Sequence, residues 1–354
     1  MTVALDATPL ATASVGGLAR YTSQLVEALA REFPDDQFVL LSDQPFALPA
    51  PLPNLRAGAP PTNLLERRWW TFGLPRELKR QQAAIFHGVD FAVPFPPTIP
   101  AVMTIHDLSP WQSAPWVDPA WRARAARVRK RVPWMIRTGA AAHIVTPSEA
   151  IRRDVLEFFH LHPERVTAIP LAAAAHFSPR PQTSARPYFL YAGMHEPRKN
   201  IAAILDAWTT VRATHDVDLI LAGPHRDDFH LPPPQPGLHR RGVVSEEELA
   251  HLYSGAVALL YPSHYEGFGL PVLEAMQCGT PAIISHDPAL VETAGDAAIA
   301  IHDSAGLASA MQSLLDNPAL RSALSLRALA RAAQFTWQRT ARATYAVYRS
   351  ILAA

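Results

Sequence analysis

The segment at residues 256–285 constrains the fold more than any other part of the chain. Apolar runs at 256–261 and 281–285 have the length and composition of buried strands. Between them, Pro271 suits the first turn of a helix, where a missing N–H costs nothing, and Gly279 suits its C-terminal end. The segment therefore predicts a strand, a glycine-broken loop, a short helix and a second strand.

The loop in this segment has the chemistry of a ligand-binding turn. Gly267 and Gly269 let the backbone approach a ligand without a clash at Cβ. The amides of residues 269–272 lie at the positive end of the helix dipole, which favours phosphate or a polar sugar hydroxyl. Glu266 in the loop and Glu274, expected in the first helical turn, are spaced to reach a sugar ring and a second polyol such as ribose. The alternative is an ordinary strand–helix turn with two solvated glutamates.

The motif EGFGLPVLEAMQCGTPAI at residues 266–283 resembles the E-x7-E signature of the retaining glycosyltransferases of family 4. The resemblance implies the α/β GT-B fold, in which two Rossmann-like, doubly wound parallel-sheet domains face each other across a cleft. It runs from residue 3 to about residue 352 and is strongest from 188 to 285. Bacterial mannosyltransferases of surface-polysaccharide assembly are the most similar members.

The resemblance also assigns the donor-binding residues. Glu266 is expected to contact the donor sugar, Glu274 to bind the ribose, and the backbone near Val243 to hold the base. The other donor-loop residues that it implies are Gly267, Phe268, Gly269 and Leu270.

Two adjacent cations follow a later strand–glycine pattern. Arg198 and Lys199, in the sequence EPRKN at 196–200, lie near a predicted helix start, where the dipole disfavours cations unless an anion is bound. They resemble the R-K-N that grips the donor diphosphate in family 4. The alternative is a solvated basic turn.

The first half contributes a glycine turn and a histidine. Gly16 and Gly17 precede a helical pattern, at the usual place for phosphate or sugar contact in a doubly wound sheet, although such a pair is also common in plain turns. The sequence GGLARY resembles the first glycine loop of the family. His106, in TIHDL at the end of a predicted strand, resembles the family's histidine that contacts the transferred sugar; a structural role is the alternative.

Length and composition limit the organisation of the chain. Two domains are expected for 354 residues, and the proline-rich loss of periodicity near residue 170 predicts a linker. We expect an acceptor-binding domain at 1–170, a linker at 171–187, a nucleotide-sugar-binding domain at 188–335 and, by resemblance, a helix at 336–354 that returns to the first domain.

Charge and cysteine content exclude further classes of protein. The formal net charge of +1 gives no reason to expect a nucleic-acid partner. The single cysteine, Cys278, excludes an internal disulfide framework and suits a reducing compartment. The chain has no apolar stretch of about eighteen residues, and its N-terminus indicates a strand, so neither a membrane span nor a secretory signal is expected.

Residues 66–137 are basic and aromatic. They contain twelve cations against five carboxylates, and six of the eight tryptophans. Such a combination suits the headgroup layer of an anionic leaflet or a pyrophosphate-linked lipid. We expect Arg127, Lys130 and Arg131 to lie on this acceptor or membrane side. The alternative is a solvated helix face with tryptophans packed inward.

Together these features predict a retaining, metal-independent hexosyltransferase, with Glu266, His106, Arg198 and Lys199 in catalysis. No cofactor is expected, and no D-x-D motif suits a metal. We expect a nucleotide-sugar donor, for which GDP-mannose is the candidate, and a lipid-linked saccharide acceptor. The expected pathway is O-antigen or exopolysaccharide synthesis at the inner face of the cell membrane. The alternatives are an epimerase-like enzyme of the same fold and a peripheral membrane protein that only binds a nucleotide sugar.

Overall fold

The computed structural model describes residues 1–11, 16–117, 122–123, 125–181, 184–226, 229, 233 and 235–353. The chain divides into two compact units. The first comprises Met1–Gln112, Ala120–Leu171 and Thr336–Ala354, and the second comprises Ser113–Pro119 and Ala172–Phe335.

The described part of the first unit forms a parallel sheet of seven strands with helices in its connections. In chain order its elements are β1 (Thr2–Asp6), α1 (Gly17–Glu32), β2 (Gln37–Leu41), β3 (Leu55–Ala57), α2 (Leu74–Arg80), β4 (Ile85–Gly88), β5 (Ala101–Thr104), α3 (Ala126–Arg137), β6 (His143–Thr146), α4 (Glu149–Phe159) and β7 (Val166–Ala168). The strands lie in the order β3-β2-β1-β4-β5-β6-β7, which reverses between β1 and β4. In sheets of this kind, ligands bind at such a reversal, outside the carboxyl ends of the strands.

The second unit repeats this design in its described part, with six parallel strands. Its elements are β8 (Tyr188–Ala192), α5 (Ile201–Arg212), β9 (Asp218–Ala222), β10 (Leu238–Gly242), α6 (Glu246–Gly255), β11 (Ala258–Tyr261), α7 (Leu270–Gln277), β12 (Ala282–Ser285), α8 (Pro288–Ala294), β13 (Ala298–Ile301), α9 (Ser304–Asp316) and α10 (Pro318–Ala332). The order β10-β9-β8-β11-β12-β13 reverses between β8 and β11. The connections that follow these two strands therefore meet at the reversal.

The last helix, α11 (Trp337–Ala353), belongs to the first unit. Tyr345 stacks on Phe33 at the end of α1, with ring centroids 3.6 Å apart. The Tyr348 hydroxyl lies 2.6 Å from Nδ1 of His87 in β4, and both residues are fully buried. A stacked ring pair and a buried hydrogen bond thus anchor this helix to its unit.

Local sequence signals account for several of these elements. The strands read as continuous apolar runs because both faces of a parallel sheet are covered; Val3 and Leu5 in β1 are fully buried. Ser148 caps α4, since its hydroxyl accepts a hydrogen bond from the Ile151 amide at 3.2 Å. Ser245 caps α6 in the same way. No helix among the described residues is long and apolar enough to cross a bilayer.

The stretch expected to be a linker is partly packed. Ala174 and Phe177 are buried, and the Gln277 side chain donates to their carbonyls at 2.9 and 2.7 Å. The chain from Ala172 onward therefore belongs to the second unit rather than to a free connection. The loss of periodicity that suggested a linker reflects an irregular segment held by side-chain hydrogen bonds.

A short segment of the expected first domain also belongs to the second unit. Trp116 lies parallel to the rings of His264 and Tyr265, with centroids 6.5 and 6.2 Å away. These aromatic contacts explain why Ser113–Pro119 groups with the second unit, although we expected all of 1–170 in the first.

Candidate active site

The reversal between β8 and β11 brings three of the predicted site residues together. Arg198 and Lys199 lie in the 3₁₀ turn Pro197–Lys199 that follows β8, just before α5. Glu266 lies in the loop after β11, and the His264 amide ties the two loops together by donating to the Arg198 carbonyl at 2.9 Å. The sheet order therefore places two cations and one carboxylate at the position where a doubly wound sheet binds ligands.

Lys199 and Glu266 form a buried ion pair in which each residue is only 6% exposed. The Lys199 ammonium also donates to the Tyr261 hydroxyl at 2.8 Å. Burial lowers the pKa of Lys199, and the charge of Glu266 opposes that shift. Burial alone would raise the pKa of Glu266, but the charges of Lys199 and Arg198 outweigh it and hold that pKa below its ordinary value. Glu266 is therefore an ionised carboxylate inside the unit.

Arg198 is held in place by main-chain and acidic partners. Its Nη1 donates to the Tyr265 carbonyl at 3.0 Å, and its Nη2 lies 3.0 Å from an oxygen of Glu196. The other oxygen of Glu196 lies 3.9 Å from Arg226. Nη1 of Arg198 is 3.7 Å from Glu266, so the second cation also lies within ion-pair distance of that carboxylate.

Asp287 is a site residue that the sequence analysis missed. One of its oxygens accepts from the Glu266 amide at 3.1 Å, and the other accepts from the amides of Ala289 and Leu290 at the start of α8. Burial raises the pKa of this carboxyl to about 6. An aspartate directly before a proline at a helix start is an N-cap signal, and it could have located Asp287. It could not have shown that the same carboxylate fixes the backbone of Glu266.

The loop before α7 requires glycine at one position. Gly269 has φ +96°, and a Cβ there would lie 2.5 Å from the Leu290 side chain. Phe268 is buried, and its carbonyl accepts from the Thr293 hydroxyl at 2.6 Å. Gly267 precedes these residues, and Leu270 is the first residue of α7, so the predicted donor loop leads directly into the helix N-terminus.

The structure corrects the expected position of Glu274. It lies in the second turn of α7 rather than the first, because the helix begins at Leu270. Its carboxylate is buried and accepts a hydrogen bond from the Tyr253 hydroxyl at 3.0 Å. Val243, the expected base contact, follows β10 and is 77% exposed. Their expected roles toward ribose and base remain predictions.

His106 lies two residues beyond β5 in the first unit. Its Nε2 is 2.8 Å from the Val89 carbonyl, and its ring meets Tyr21 edge-on at 4.8 Å. Because a carbonyl can only accept, Nε2 carries the proton and Nδ1 has the lone pair. Burial lowers the pKa of His106, so the imidazole is neutral at physiological pH. Its contact with the transferred sugar remains a prediction.

Gly16 and Gly17, the glycines predicted to contact the donor in the first unit, have no steric reason to be glycine among the described residues. Gly16 precedes α1 in an extended conformation, and Gly17 is its first residue. A Cβ added at either position would meet no atom of the described residues within 4 Å. Both are exposed. If these positions require glycine, the requirement comes from something other than the packing of this unit.

The predicted acceptor-side cations lie on α3. Arg127, Lys130 and Arg131 are exposed, as is Trp134, which is 38% exposed. On the opposite face, the buried residues are Val132, Met135 and Ile136. Arg124 and Trp121, also part of the predicted basic region, lie outside the described residues. Trp69 is only 4% exposed, so this tryptophan packs inward and does not contribute to an aromatic surface that could contact a membrane.

Within the described ranges, no group of three or more histidine, cysteine, aspartate or glutamate side chains is arranged to hold a metal ion. The polar chemistry at the β8–β11 reversal is instead that of a lysine, an arginine and a carboxylate beside a helix N-terminus. Such an arrangement in a doubly wound α/β unit is suited to a phosphorylated ligand.

Comparisons with known proteins identify the family. The model described as Glycosyltransferase Family 4 matches residues 15–174, and that described as Glycosyl transferases group 1 matches residues 175–331. The O-antigen chain mannosyltransferase B of Escherichia coli is 32% identical over 288 residues, which cover 75% of this chain and 74% of that protein. The chain therefore belongs to the family 4 (group 1) glycosyltransferases.

Solved structures agree on the fold. Sucrose-phosphate synthase from Thermosynechococcus elongatus superposes with a TM-score of 0.73 at 22% identity, covering 100% of this chain and 99% of that one. Anabaena HepE in complex with UDP-glucose superposes with a TM-score of 0.70 at 14% identity, covering 99% and 100%. With the two parallel sheets, these matches confirm the predicted GT-B fold class.

Proposed function

We propose that this protein transfers a hexose, with retention of anomeric configuration, from a nucleotide diphosphate sugar to a saccharide acceptor carried on lipid. Mannose from GDP-mannose is the proposed donor, because the relative from Escherichia coli is named a mannosyltransferase. That name also suggests the pathway, synthesis of an O-antigen or another exopolysaccharide. The observation that carries the proposal is the cluster of Lys199, Arg198 and Glu266 at the β8–β11 reversal.

The cluster can stabilise a departing diphosphate. During transfer, the bond between the anomeric carbon and the diphosphate oxygen breaks, and negative charge gathers on the leaving group. Arg198 and Lys199 would meet this charge from fixed positions, which is the effective form of electrostatic catalysis. The amides at the start of α7 would add partial positive charge. We propose that these groups do the work for which other enzymes use a metal, and that no cofactor takes part.

Glu266 is proposed to act on the sugar side. Its carboxylate is ionised, and the Asp287 contact fixes its backbone. A fixed negative charge near the anomeric carbon would stabilise an oxocarbenium-like transition state. His106 and the Gly16–Gly17 turn of the first unit are proposed to contact the sugar and the diphosphate.

The first unit offers two surfaces for an anionic leaflet. On α3, Arg127, Lys130 and Arg131 are exposed and have no ion-pair partner among the described residues. In the stretch before α2, exposed apolar side chains flank the exposed cations Arg67 and Arg68: Leu64, which precedes them, is 82% exposed and Phe72, which follows them, is 42% exposed. Apolar side chains among unpaired cations suit the headgroup layer. We propose that the protein works in the cytoplasm, peripherally bound to the inner face of the membrane.

The decisive experiment replaces Glu266. Wild type, Glu266→Gln and Glu266→Ala would be incubated with GDP-mannose and a lipid-linked saccharide, and the product's anomeric configuration read by NMR. We expect retention in the wild type and loss of transfer in both variants. Glu247→Gln, at an exposed position on α6, is the matched control.

Each other outcome favours a different function. Undiminished transfer by Glu266→Ala contradicts the catalytic role. Conversion of the donor sugar without transfer favours an epimerase-like enzyme. A wild type that binds the donor but never turns it over favours a binding protein.

A further inference from the structure

Asp90 is a half-buried residue at the sheet reversal of the first unit. It follows β4 by two residues, whereas Asp6 ends β1 and Asp107 follows β5 by three, so three carboxyl groups lie at the carboxyl ends of these strands. Asp6 accepts hydrogen bonds from the Thr8 amide and hydroxyl at 3.0 and 2.6 Å. Asp107 accepts one from the Ser109 amide at 2.8 Å. Within the described ranges no residue donates a hydrogen bond to Asp90, so its oxygens can accept one from a ligand.

The backbone on both sides of Asp90 is tied to β5 and the residues that follow it. The Val89 carbonyl accepts the hydrogen bond from Nε2 of His106 at 2.8 Å, and the Phe91 amide donates to the Thr104 carbonyl at 3.1 Å. Ligands of a doubly wound sheet bind at such a reversal. Because His106 is proposed to contact the transferred sugar, a hydroxyl that attacks this sugar would come close to Asp90.

Sugar transfer requires a group that takes a proton, because the acceptor hydroxyl loses one as its oxygen bonds to the anomeric carbon. In the second unit, Glu266 is paired with Lys199 and its pKa is held below the ordinary value, so it is a weak base. Asp287 already accepts from three amides. Burial lowers the pKa of His106, which weakens this residue as a base as well.

The surroundings of Asp90 suit proton transfer near neutral pH. Burial and the negative charges of Asp6 and Asp107 raise the pKa of Asp90 to about 7. A general base is most effective when its pKa lies near the working pH. Because Asp90 is only half-buried, its carboxyl group can return the proton to water after each turnover.

We propose that Asp90 is the catalytic base that removes the proton from the attacking hydroxyl of the acceptor. This inference rests on the proposed function and adds a catalytic residue to it. The proton moves to a carboxylate oxygen of Asp90 while the acceptor oxygen bonds to the anomeric carbon. The bond from that carbon to the diphosphate oxygen breaks, and its electron pair leaves with the diphosphate.

The test compares pH profiles of kcat/KM for the acceptor. Wild type, Asp90→Asn and Asp90→Glu would be assayed with octyl α-mannoside and the donor that the wild type uses among GDP-mannose, UDP-glucose and ADP-glucose. Donor hydrolysis, with water as the acceptor, would be followed in parallel. We expect the wild-type value to rise about tenfold per pH unit and level off near pH 7, as for the ionisation of one base. Asp90→Asn should lose about 10²–10⁴-fold and the plateau near pH 7, and Asp90→Glu should recover part of the rate.

Two further measurements distinguish a base from a structural carboxyl group. Asp90→Ala leaves space in which added formate can take the proton, so formate should accelerate transfer by this variant and not by wild type. Calorimetric titration with GDP, UDP and ADP should give the same nucleotide affinities in wild type and Asp90→Asn. Asp35→Asn, at an exposed position of the first unit, is the control for both measurements.

A plateau near pH 7 that persists in Asp90→Asn would overturn the proposal, as would a folded Asp90→Ala that formate does not accelerate. If Asp90→Ala does not fold, the profile of the nearly isosteric Asp90→Asn decides. A wild type that turns over none of the three donors would refute the proposed function, and this inference with it. If instead Glu266→Ala retains transfer while Asp90→Asn loses its plateau, the role of Glu266 fails and that of Asp90 stands.

Discussion

The ammonium group of Lys199 is paired with the carboxylate of Glu266 across two loops that are 67 residues apart in the chain. Each partner neutralises the buried charge of the other, and Arg198 adds a second, more distant cation beside Glu266. In the proposed reaction, however, the two residues have different roles: Lys199 stabilises the leaving diphosphate, and Glu266 acts on the sugar. The pair therefore links the stability of the second unit to its catalysis, and the two effects can be separated.

Lys199→Met should damage both stability and activity. Removing one partner of a buried ion pair costs up to about 3–5 kcal/mol, and the loss falls within that limit here because Arg198, 3.7 Å from Glu266, still compensates part of the carboxylate charge. Losing one fixed donor to a developing charge lowers kcat by about 10²–10³. The double variant Lys199→Met/Glu266→Gln should regain much of the free energy of unfolding and none of the activity. Urea denaturation and donor turnover measure the two quantities. Parallel recovery of both would show that the pair is structural only.

Tyr261→Phe should slow transfer with little other change. The Tyr261 hydroxyl accepts a hydrogen bond from Lys199 at 2.8 Å and so fixes the direction of the ammonium. We expect kcat to fall by about tenfold, since a hydrogen bond to a charged group is worth about 1.5–3 kcal/mol and part of it is recovered by relaxation. Tyr188→Phe is the matched control, because it removes another buried hydroxyl, one bonded to the Leu252 carbonyl. Equal losses in both variants would contradict a positioning role.

Asp90→Asn should change how stability depends on pH. Burial, with the charges of Asp6 and Asp107, raises the pKa of Asp90 from 3.8 to about 7. Between these values the native state holds a proton that the unfolded chain has released, so the free energy of unfolding falls as the pH rises through this window. Asp90→Asn should therefore gain stability over wild type at pH 8 and show little difference at pH 4. Chemical denaturation at both pH values tests this, with Asp216→Asn, whose side chain is 69% exposed, as control.

Charge removal on α3 should weaken vesicle binding. Each cation near an anionic surface contributes about 1 kcal/mol, so the triple variant Arg127→Gln/Lys130→Gln/Arg131→Gln should bind phosphatidylserine vesicles about 100-fold more weakly. The control is the triple variant Arg321→Gln/Arg327→Gln/Arg349→Gln, which removes the same number of charges outside α3. Co-sedimentation at low and high salt measures the affinity. If both triple variants lose the same affinity, the attraction is a general charge effect and not a property of α3.

The sequence predicts the strands around the site better than it predicts which strands lie side by side in the sheet. The runs at 256–261 and 281–285 carry local patterns, and they form β11 and β12. The motif at residue 266 also indicated the family, and the comparisons confirmed it. The contact of Lys199 with Glu266 depends on β8 lying beside β11, which is a long-range fact that neither local pattern contains.

The residues that were missed share one cause. Tyr261 lies at the end of an ordinary apolar strand, so it has no local signal. Its importance comes from the hydrogen bond with Lys199, which only tertiary packing sets. The contact of Asp287 with the Glu266 amide depends on tertiary packing in the same way. Trp69 and Trp116 show the same limit, since composition placed both in one aromatic region. In the structure Trp69 is buried, and Trp116 belongs to the second unit.

Two glycines allow the demands of the fold to be separated from those of a ligand. At Gly269, alanine would adopt φ +96° with its Cβ 2.5 Å from Leu290, so strain of about 1–2 kcal/mol and overpacking of about 1–3 kcal/mol should destabilise the protein. At Gly17, the first residue of α1, the Cβ of alanine would meet no atom within 4 Å in the part of the chain that the structure describes, and alanine favours a helix over glycine by about 0.5–1 kcal/mol.

Gly17→Ala should therefore raise the melting temperature slightly and still lower kcat/KM for the donor by tenfold or more, about 1.4 kcal/mol of lost transition-state binding. Thermal denaturation and steady-state kinetics on the same preparation measure both. A methyl group that fits the protein without a clash lowers activity only if it obstructs a ligand that approaches this turn. A variant that is more stable and fully active would show that no ligand comes close to Gly17, and would remove this turn from the proposed donor site.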